Sequence, residues 1–299
     1  MNGGMNGGMS AIIRDIGTRL GPDVVAAMRD LYEAEQAPLA AALPPVALDC
    51  AYGPDARNRL DLYRQGEAGE RRPVVLFVHG GGFLVGDKGG PDTWANAHVG
   101  RWAAANGMLG AVMNYRLAPQ HMWPSGAEDV GLAVDWLRGH AAGHGGDPER
   151  IFLLGTSAGA VHVSAFLKAR ADHEGLVRGA ALLSGLYGVT PLDERDMRYY
   201  GPQDCYALRM PLSAVMETRL PLLLACAEFD PPRFQAEWAS MMQGRLGRHG
   251  RLPRAHYASG HNHYSMAMHL GTADRRLSDE LLAFFACLLY TSPSPRDKR

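Results

Sequence analysis

The chain has 299 residues, of which 46% are hydrophobic, enough to bury the core of one α/β domain. Its 30 basic and 31 acidic residues leave a net charge of −1, which argues against nucleic acid or a membrane surface as partner and for a small neutral ligand. Four cysteines, Cys50, Cys205, Cys226 and Cys287, stand far apart without Cys-x-x-Cys spacing, so they read as reduced side chains of a cytoplasmic protein and not as a disulfide frame or zinc site.

Residues 1–21 read as a disordered leader, glycine-rich at the start and without the basic and apolar regions of a secretory signal. No window approaches the ~18 consecutive apolar residues of a membrane span. A helix is expected from Pro22, with Val24, Met28, Leu31 and Tyr32 along one face, until Pro38, Pro44 and Pro45 break the chain. Ala47 to Tyr52 and Arg59 to Tyr63 then read as an antiparallel hairpin. From Pro73 the texture changes to continuous apolar runs: Val74 to Val78, Leu109 to Met113, Ile151 to Leu154, Ala180 to Leu183 and Pro221 to Ala227. Helical patterns separate them, at Val130, Val134 and Leu137 and at Phe234, Trp238, Met241 and Met242. Such strands predict a mainly parallel sheet covered on both faces by helices. Ala255 to Ala258 is the last short strand and Leu277 to Leu288 the last helix. Residues 22–289 therefore form one domain, and 290–299, with two prolines and no apolar face, resemble adapter read-through more than the end of a natural domain.

Two loops in this frame carry chemistry. Arg150 to Ala160 reads as a buried strand, a tight turn at Gly155-Thr156-Ser157-Ala158-Gly159 and the start of a helix, which leaves Ser157 exposed at the carboxyl end of its strand. Unpaired N–H groups of that helix face the same spot. Gly-x-Ser-x-Gly is a weak pattern alone, and it gains meaning from the strand before it and the helix after it. His79-Gly80-Gly81-Gly82-Phe83 follows the first core strand, and its consecutive glycines let main-chain N–H groups hold an oxyanion. A phosphate loop is excluded there because Lys88 is not followed by Ser or Thr. Both loops leave the carboxyl ends of parallel strands, so they are expected to meet on one rim.

A serine needs a base, and the base needs a carboxylate. Asp230, between an apolar strand and a helix, is the leading carboxylate and Glu228 its rival. Gly260-His261-Asn262-His263-Tyr264 offers two histidines in one loop. A zinc reading of His261, His263 and His269 lacks an acidic or cysteine partner at supporting spacing, so no metal is expected.

The segments His79-Gly80-Gly81-Gly82, Asn114-Tyr115-Arg116-Leu117-Ala118-Pro119 and Gly155-Thr156-Ser157-Ala158-Gly159 occur in the order found in α/β-hydrolases. Over residues 45–289 the chain resembles carboxylesterases of the hormone-sensitive lipase group (bacterial family IV), with arylformamidase-like enzymes as near relatives. It departs from the group's Gly-Asp-Ser-Ala-Gly-Gly at Thr156 and Ala160, which leaves the serine intact and the subfamily open. The resemblance implies an α/β-hydrolase fold with a small helical cap, Ser157 as nucleophile and Asp230 as the acid. It also selects His263 over His261 as the base, because relatives place the base directly before an aromatic or apolar residue that opens a helix. Gly81, Gly82 and Ala158 would then supply the oxyanion N–H groups.

Candidate cap pieces are residues 22–45 and 187–220, and Phe83, Trp94, Tyr187 and Met210 are expected to line a substrate pocket. The function expected is hydrolysis of short to medium acyl esters, without a cofactor. An amidase or arylformamidase using the same residues is the alternative, and an inactive small-ligand receptor a distant third. The expected partners are a small ester and, among proteins, at most a second copy in a homodimer.

Overall fold

Val74, Leu76 and Val78 point into one apolar layer, and Val75 and Phe77 into another. Ile151 and Leu153 against Phe152 and Leu154, and Leu222 and Leu224 against Leu223 and Ala225, divide in the same way, because successive strand side chains project to opposite faces. A strand apolar on both faces needs a cover on each, and every buried Leu or Phe contributes about 1.5–3 kcal/mol.

The computed structural model describes residues 7–91 and 93–290 and supplies those covers. In chain order, helices α1 (Gly7–Ile16) and α2 (Pro22–Ala42) precede strands β1 (Ala47–Ala51), β2 (Arg59–Tyr63) and β3 (Arg72–Val78). There follow α3 (Ala97–Ala105), β4 (Leu109–Met113), α4 (Ser125–His140), β5 (Gly146–Thr156), α5 (Ala158–Ala169), α6 (His173–Leu176) and β6 (Gly179–Leu183). Three short helices, α7 (Glu194–Tyr200), α8 (Gln203–Arg209) and α9 (Leu212–Glu217), lie before β7 (Leu222–Phe229). The chain continues through α10 (Pro232–His249), β8 (Arg254–Asn262), α11 (Ser265–Met268) and α12 (Arg276–Tyr290).

The strand order is β1-β2-β4-β3-β5-β6-β7-β8. The pairs β1–β2 and β2–β4 are antiparallel, and the remaining pairs run parallel. Val130 and Val134 of α4, Phe166 of α5 and Met241 of α10 cover one face, while Trp102 of α3 and Leu281 and Phe285 of α12 cover the other. Parallel strands β3, β5, β7 and β8 therefore deliver their following residues to a single rim. Over that rim Tyr199, Tyr200 and Tyr206 of α7 and α8 pack with Phe83, Val161 and Phe234. Among the described residues, no helix is long and apolar enough to cross a membrane.

The structure corrects four expectations about elements. Residues 7–16, read as part of a disordered leader, form α1, because Met9, Ile13 and Ile16 recur at helical spacing and pack with Met28 and Trp94. The expectations for residues 1–6 and 291–299 fall outside the described residues, and Tyr290 is the last residue of α12. Pro38 does not end α2, which runs on to Ala42. Its lost main-chain bond is offset by tertiary ties nearby: Gln36 Nε2 donates to the carbonyls of Met268 and Leu270, both at 2.9 Å. Finally, β8 extends to Asn262, so His261 lies on a strand and not in a loop.

Candidate active site

The turn at the end of β5 is built from close approaches. A Cβ added at Gly155 would lie 2.6 Å from the Gly159 carbonyl oxygen, and one at Gly159 only 1.9 Å from that of Val78, so neither position admits a side chain. Between them Ser157 takes φ 53°, ψ −122°, a strained backbone for a residue with a side chain. The strain is held by Ser157 N–H donating to the Leu183 carbonyl of β6 at 2.8 Å and by the start of α5.

This turn aims Ser157 Oγ at His263, whose Nε2 lies 2.9 Å away. On the other side of the ring, His263 Nδ1 is 2.6 Å from Asp230 Oδ1. A carboxylate only accepts, so Nδ1 carries the proton and Nε2 offers its lone pair to the Ser157 hydroxyl. Burial alone would raise the Asp230 pKa. The hydrogen bond from His263, the Ser184 hydroxyl at 2.6 Å and the Ala227 N–H at 2.8 Å outweigh it and hold the carboxyl below its usual range. Glu228, the rival carboxylate, instead accepts the Gly260 N–H at 2.6 Å and ties β7 to the end of β8.

The glycine loop reaches the same place. Val78 of β3 is in register with Gly155 of β5, and a Cβ on Gly80 would sit 3.2 Å from Ser157 Cβ. Gly81, at φ +134°, could carry no side chain, since its Cβ would fall 1.8 Å from the Val85 carbonyl oxygen. The N–H groups of Gly81 and Gly82 have no acceptor among the described residues. Ala158 opens α5, where the main chain has unpaired N–H groups. His79 orders the loop: it is buried, stacks on Tyr115 at 4.4 Å and donates to the Gly80 carbonyl at 2.6 Å, and burial lowers its pKa to about 4.

Residues 75–256 match the family model described as the alpha/beta hydrolase fold. The chain belongs to that family. This hydrolase-fold chain is 42% identical over 120 residues to a probable isoprenylcysteine alpha-carbonyl methylesterase of Oryza sativa subsp. japonica, covering 40% of this chain and 27% of that protein. It is 28% identical over 242 residues to esterase LipQ of Mycobacterium tuberculosis, covering 70% of this chain and 56% of LipQ. It thus spans between about a quarter and just over half the length of these curated relatives. Among solved structures it is similar to a hyperthermophilic esterase of the archaeon Pyrobaculum calidifontis, with TM-score 0.68, 21% identity and coverage of 96% of this chain and 100% of that one. A bacterial heroin esterase gives TM-score 0.69 at 20% identity, over 95% and 98% of the two chains. At such identities the structural likeness establishes the fold.

Beside Ser157, Gly82 and Ala158 the hydrolase-fold chain has a cavity of about 10 Å³, walled by Phe83, Val161, Leu186 and Phe234 and bounded by Arg195 and Asp196. Of the expected pocket residues only Phe83 lies there. Trp94 packs with α1 and α2 and donates to Glu33 Oε2 at 2.6 Å, because an indole N–H in a buried layer takes the nearest carboxylate. Tyr187 points into the core beneath the sheet, its N–H held by buried Glu237 at 2.9 Å. Met210 packs beside the cap tyrosines and against Gly188 without reaching the cavity. Leu186 was legible as a residue following a parallel strand, and Phe234 as the first turn of the helix after Asp230. Arg195 and Asp196 sit in a charged run with no such signal.

His261, His269 and Asp274 form a second cluster with ligand-capable atoms within 4.8 Å of one another. Asp274 is the acidic partner that spacing had hidden, and His263 faces away toward Ser157. The donor set does not suit a metal ion. The His261 and His269 rings stack at 3.9 Å, so their in-plane lone pairs do not converge, and the Arg276 guanidinium holds Asp274 at 2.5 Å. Burial lowers the His261 pKa, while Arg276 and His261 outweigh burial to hold Asp274 well below its usual range. The 3.2 Å contact between His261 Nε2 and Asp274 is thus a neutral imidazole donating to an ionised carboxylate.

Proposed function

We propose that the protein is a serine carboxylesterase that hydrolyses short to medium acyl esters through an acyl-enzyme. The observation that carries the reading is one imidazole bridging Ser157 Oγ at 2.9 Å and Asp230 at 2.6 Å beside main-chain N–H groups that have no acceptor among the described residues. His263 Nε2 takes the Ser157 proton as Oγ attacks the ester carbonyl, and ionised Asp230 stabilises the imidazolium that forms. The oxyanion is received by the N–H groups of Gly81, Gly82 and Ala158, each worth about 3 kcal/mol of barrier. His263 returns the proton to the leaving alcohol, then activates the water that releases the acid. The narrow cavity favours the short end of the acyl range. A small ester and a cytoplasmic setting belong to the same reading, supported by near-neutral charge and by the thiols of Cys50, Cys205 and Cys226. The test is labelling by a fluorophosphonate, then turnover across esters of increasing acyl length. Labelling confined to Ser157 and a maximum at short acyl chains is expected; preference for long insoluble triglycerides rejects the reading.

A further inference from the structure

Two neighbouring strands end in the same way. Thr156 of β5 is in register with Leu183 of β6, and Leu183 with Ala225 of β7. The residue after Thr156 and the residue after Leu183 are both serines with a left-handed backbone, Ser157 at φ 53° and Ser184 at φ 48°. Each donates its N–H to the next strand, Ser157 to the Leu183 carbonyl at 2.8 Å and Ser184 to the Ala225 carbonyl at 2.9 Å. A side chain at such a φ is strained, and glycine would relieve it. At Ser157 the strained turn aims a hydroxyl at His263. Ser184 repeats the turn one strand away and carries a hydroxyl that no step of the proposed reaction uses.

That second hydroxyl is committed to the acid. Ser184 is buried, and its Oγ lies 2.6 Å from Oδ2 of Asp230, which is fully buried. An ionised carboxylate only accepts, so Ser184 donates. The same oxygen accepts the Ala227 N–H at 2.8 Å and lies 3.4 Å from the Cys226 thiol, while Oδ1 meets His263 Nδ1 at 2.6 Å. Cys226 and Ala227 belong to β7, the strand that leads into Asp230. Ser184 alone among these donors to Oδ2 reaches it from a different strand. One dipeptide, Leu183-Ser184, therefore touches both ends of the relay: its first carbonyl holds the Ser157 main chain and its second hydroxyl holds Asp230.

We infer that Ser184 is a positioning residue of the proposed esterase, which turns Asp230 so that Oδ1 faces His263. The inference rests on the esterase reading above and adds a residue to it. Without the Ser184 hydroxyl, Oδ2 keeps only donors from its own strand, and the carboxylate can turn and carry Oδ1 away from Nδ1. The imidazolium then forms without its partner in place, which slows the chemical steps and leaves the binding of substrate alone.

The experiment measures kcat and KM for 4-nitrophenyl acetate in the wild type, Ser184→Gly and Ser184→Ala, with circular dichroism and melting temperature on each. Glycine adopts this φ without strain, so Ser184→Gly removes the hydroxyl and keeps the turn. Both variants are expected to lower kcat by about ten- to a hundredfold, with KM changed by less than about threefold. A merely structural serine would lower the melting temperature and leave the kcat of the folded enzyme unchanged. Wild-type kcat in Ser184→Gly overturns the inference, because any loss in Ser184→Ala would then come from backbone strain; a loss carried by KM overturns it as well. Fluorophosphonate labelling of Ser157 in the wild type separates the two failures. Labelling and turnover in the wild type with either of those results overturn this inference alone, whereas no labelling and no turnover overturn the esterase reading and this one with it.

Discussion

Two sets of serine, histidine and carboxylate lie side by side in this chain, their imidazoles two residues apart. Ser157, His263 and Asp230 are linked at 2.9 and 2.6 Å. Ser265, His261 and Asp274 are linked at 3.1 and 3.2 Å. Distances alone barely separate them. The surroundings do: Ser157 sits on a strained turn that faces a cavity and unpaired N–H groups, whereas Ser265 is fully buried at the start of α11 and accepts the Asn262 N–H at 2.9 Å. Asp230 answers chiefly to His263, Ser184 and the Ala227 N–H, while Asp274 is shared with the Arg276 main chain and guanidinium. The ring is also reversed, with Nδ1 toward the serine in the second set. Under the proposed function the first set would move a proton, while the second ties the end of β8 to the turns that follow it.

The sharpest way to break this contrast is to remove each hydroxyl. Ser157→Ala should lower kcat for a short ester by about 10⁵-fold with no change in melting temperature. Ser265→Ala should lower the melting temperature and reduce kcat by less than about tenfold, since it touches no reacting atom. Comparable losses from both would erase the distinction.

The carboxylates test it next. Asp230→Asn should cost about 10⁴-fold in kcat by favouring the wrong imidazole tautomer. Asp274→Asn should instead cost about 2 kcal/mol of stability, read by urea denaturation, because it unbalances a buried pair whose arginine is partly exposed.

Much of the first set is legible in the sequence, and little of the second. Ser157, Asp230 and the glycine loop each follow an apolar strand, so the parallel sheet fixes where they go. The pairing of His261 with Asp274 depends on how β8 and the following turns fold back, which no periodicity records. Residues 22–45 and 187–220 are expected as cap pieces from their place in the chain, but which of their side chains approach Ser157 is not legible. Trp94 and Tyr187 are large and apolar enough to line any pocket, and sequence cannot say which of two sides of a sheet takes them. Arg195 and Asp196, in a run of charges, look like solvated surface until Gly82 is found beneath one of them.

Smaller effects sharpen the comparison. Gly81→Ala should lower kcat by about 10²- to 10³-fold through displacement of an oxyanion donor, with esters of differing leaving group affected alike. Acidification should then expose a third class of histidine. Burial lowers the pKa of His79 and His98 to about 4 and of His162 to about 3. The unfolded chain protonates them near pH 6.5 while the fold keeps them neutral, so their contribution is fully present above that pH and falls as the pH drops toward 4. Melting temperature measured between pH 7 and 4 should decline steadily; a flat profile would count against their burial as neutral groups.

The helices ahead of the sheet touch none of the reacting atoms, yet their ties end on the segment that bears the base. Gly21 donates to the Tyr264 hydroxyl at 3.1 Å, Gln36 to two carbonyls beyond it, and Glu35 accepts the Ala273 N–H at 2.7 Å. A truncated version beginning at the first strand would retain every recognisable motif and lose this brace. Its imidazole would be free to wander, so such an enzyme would be poor for a reason invisible in the motifs themselves.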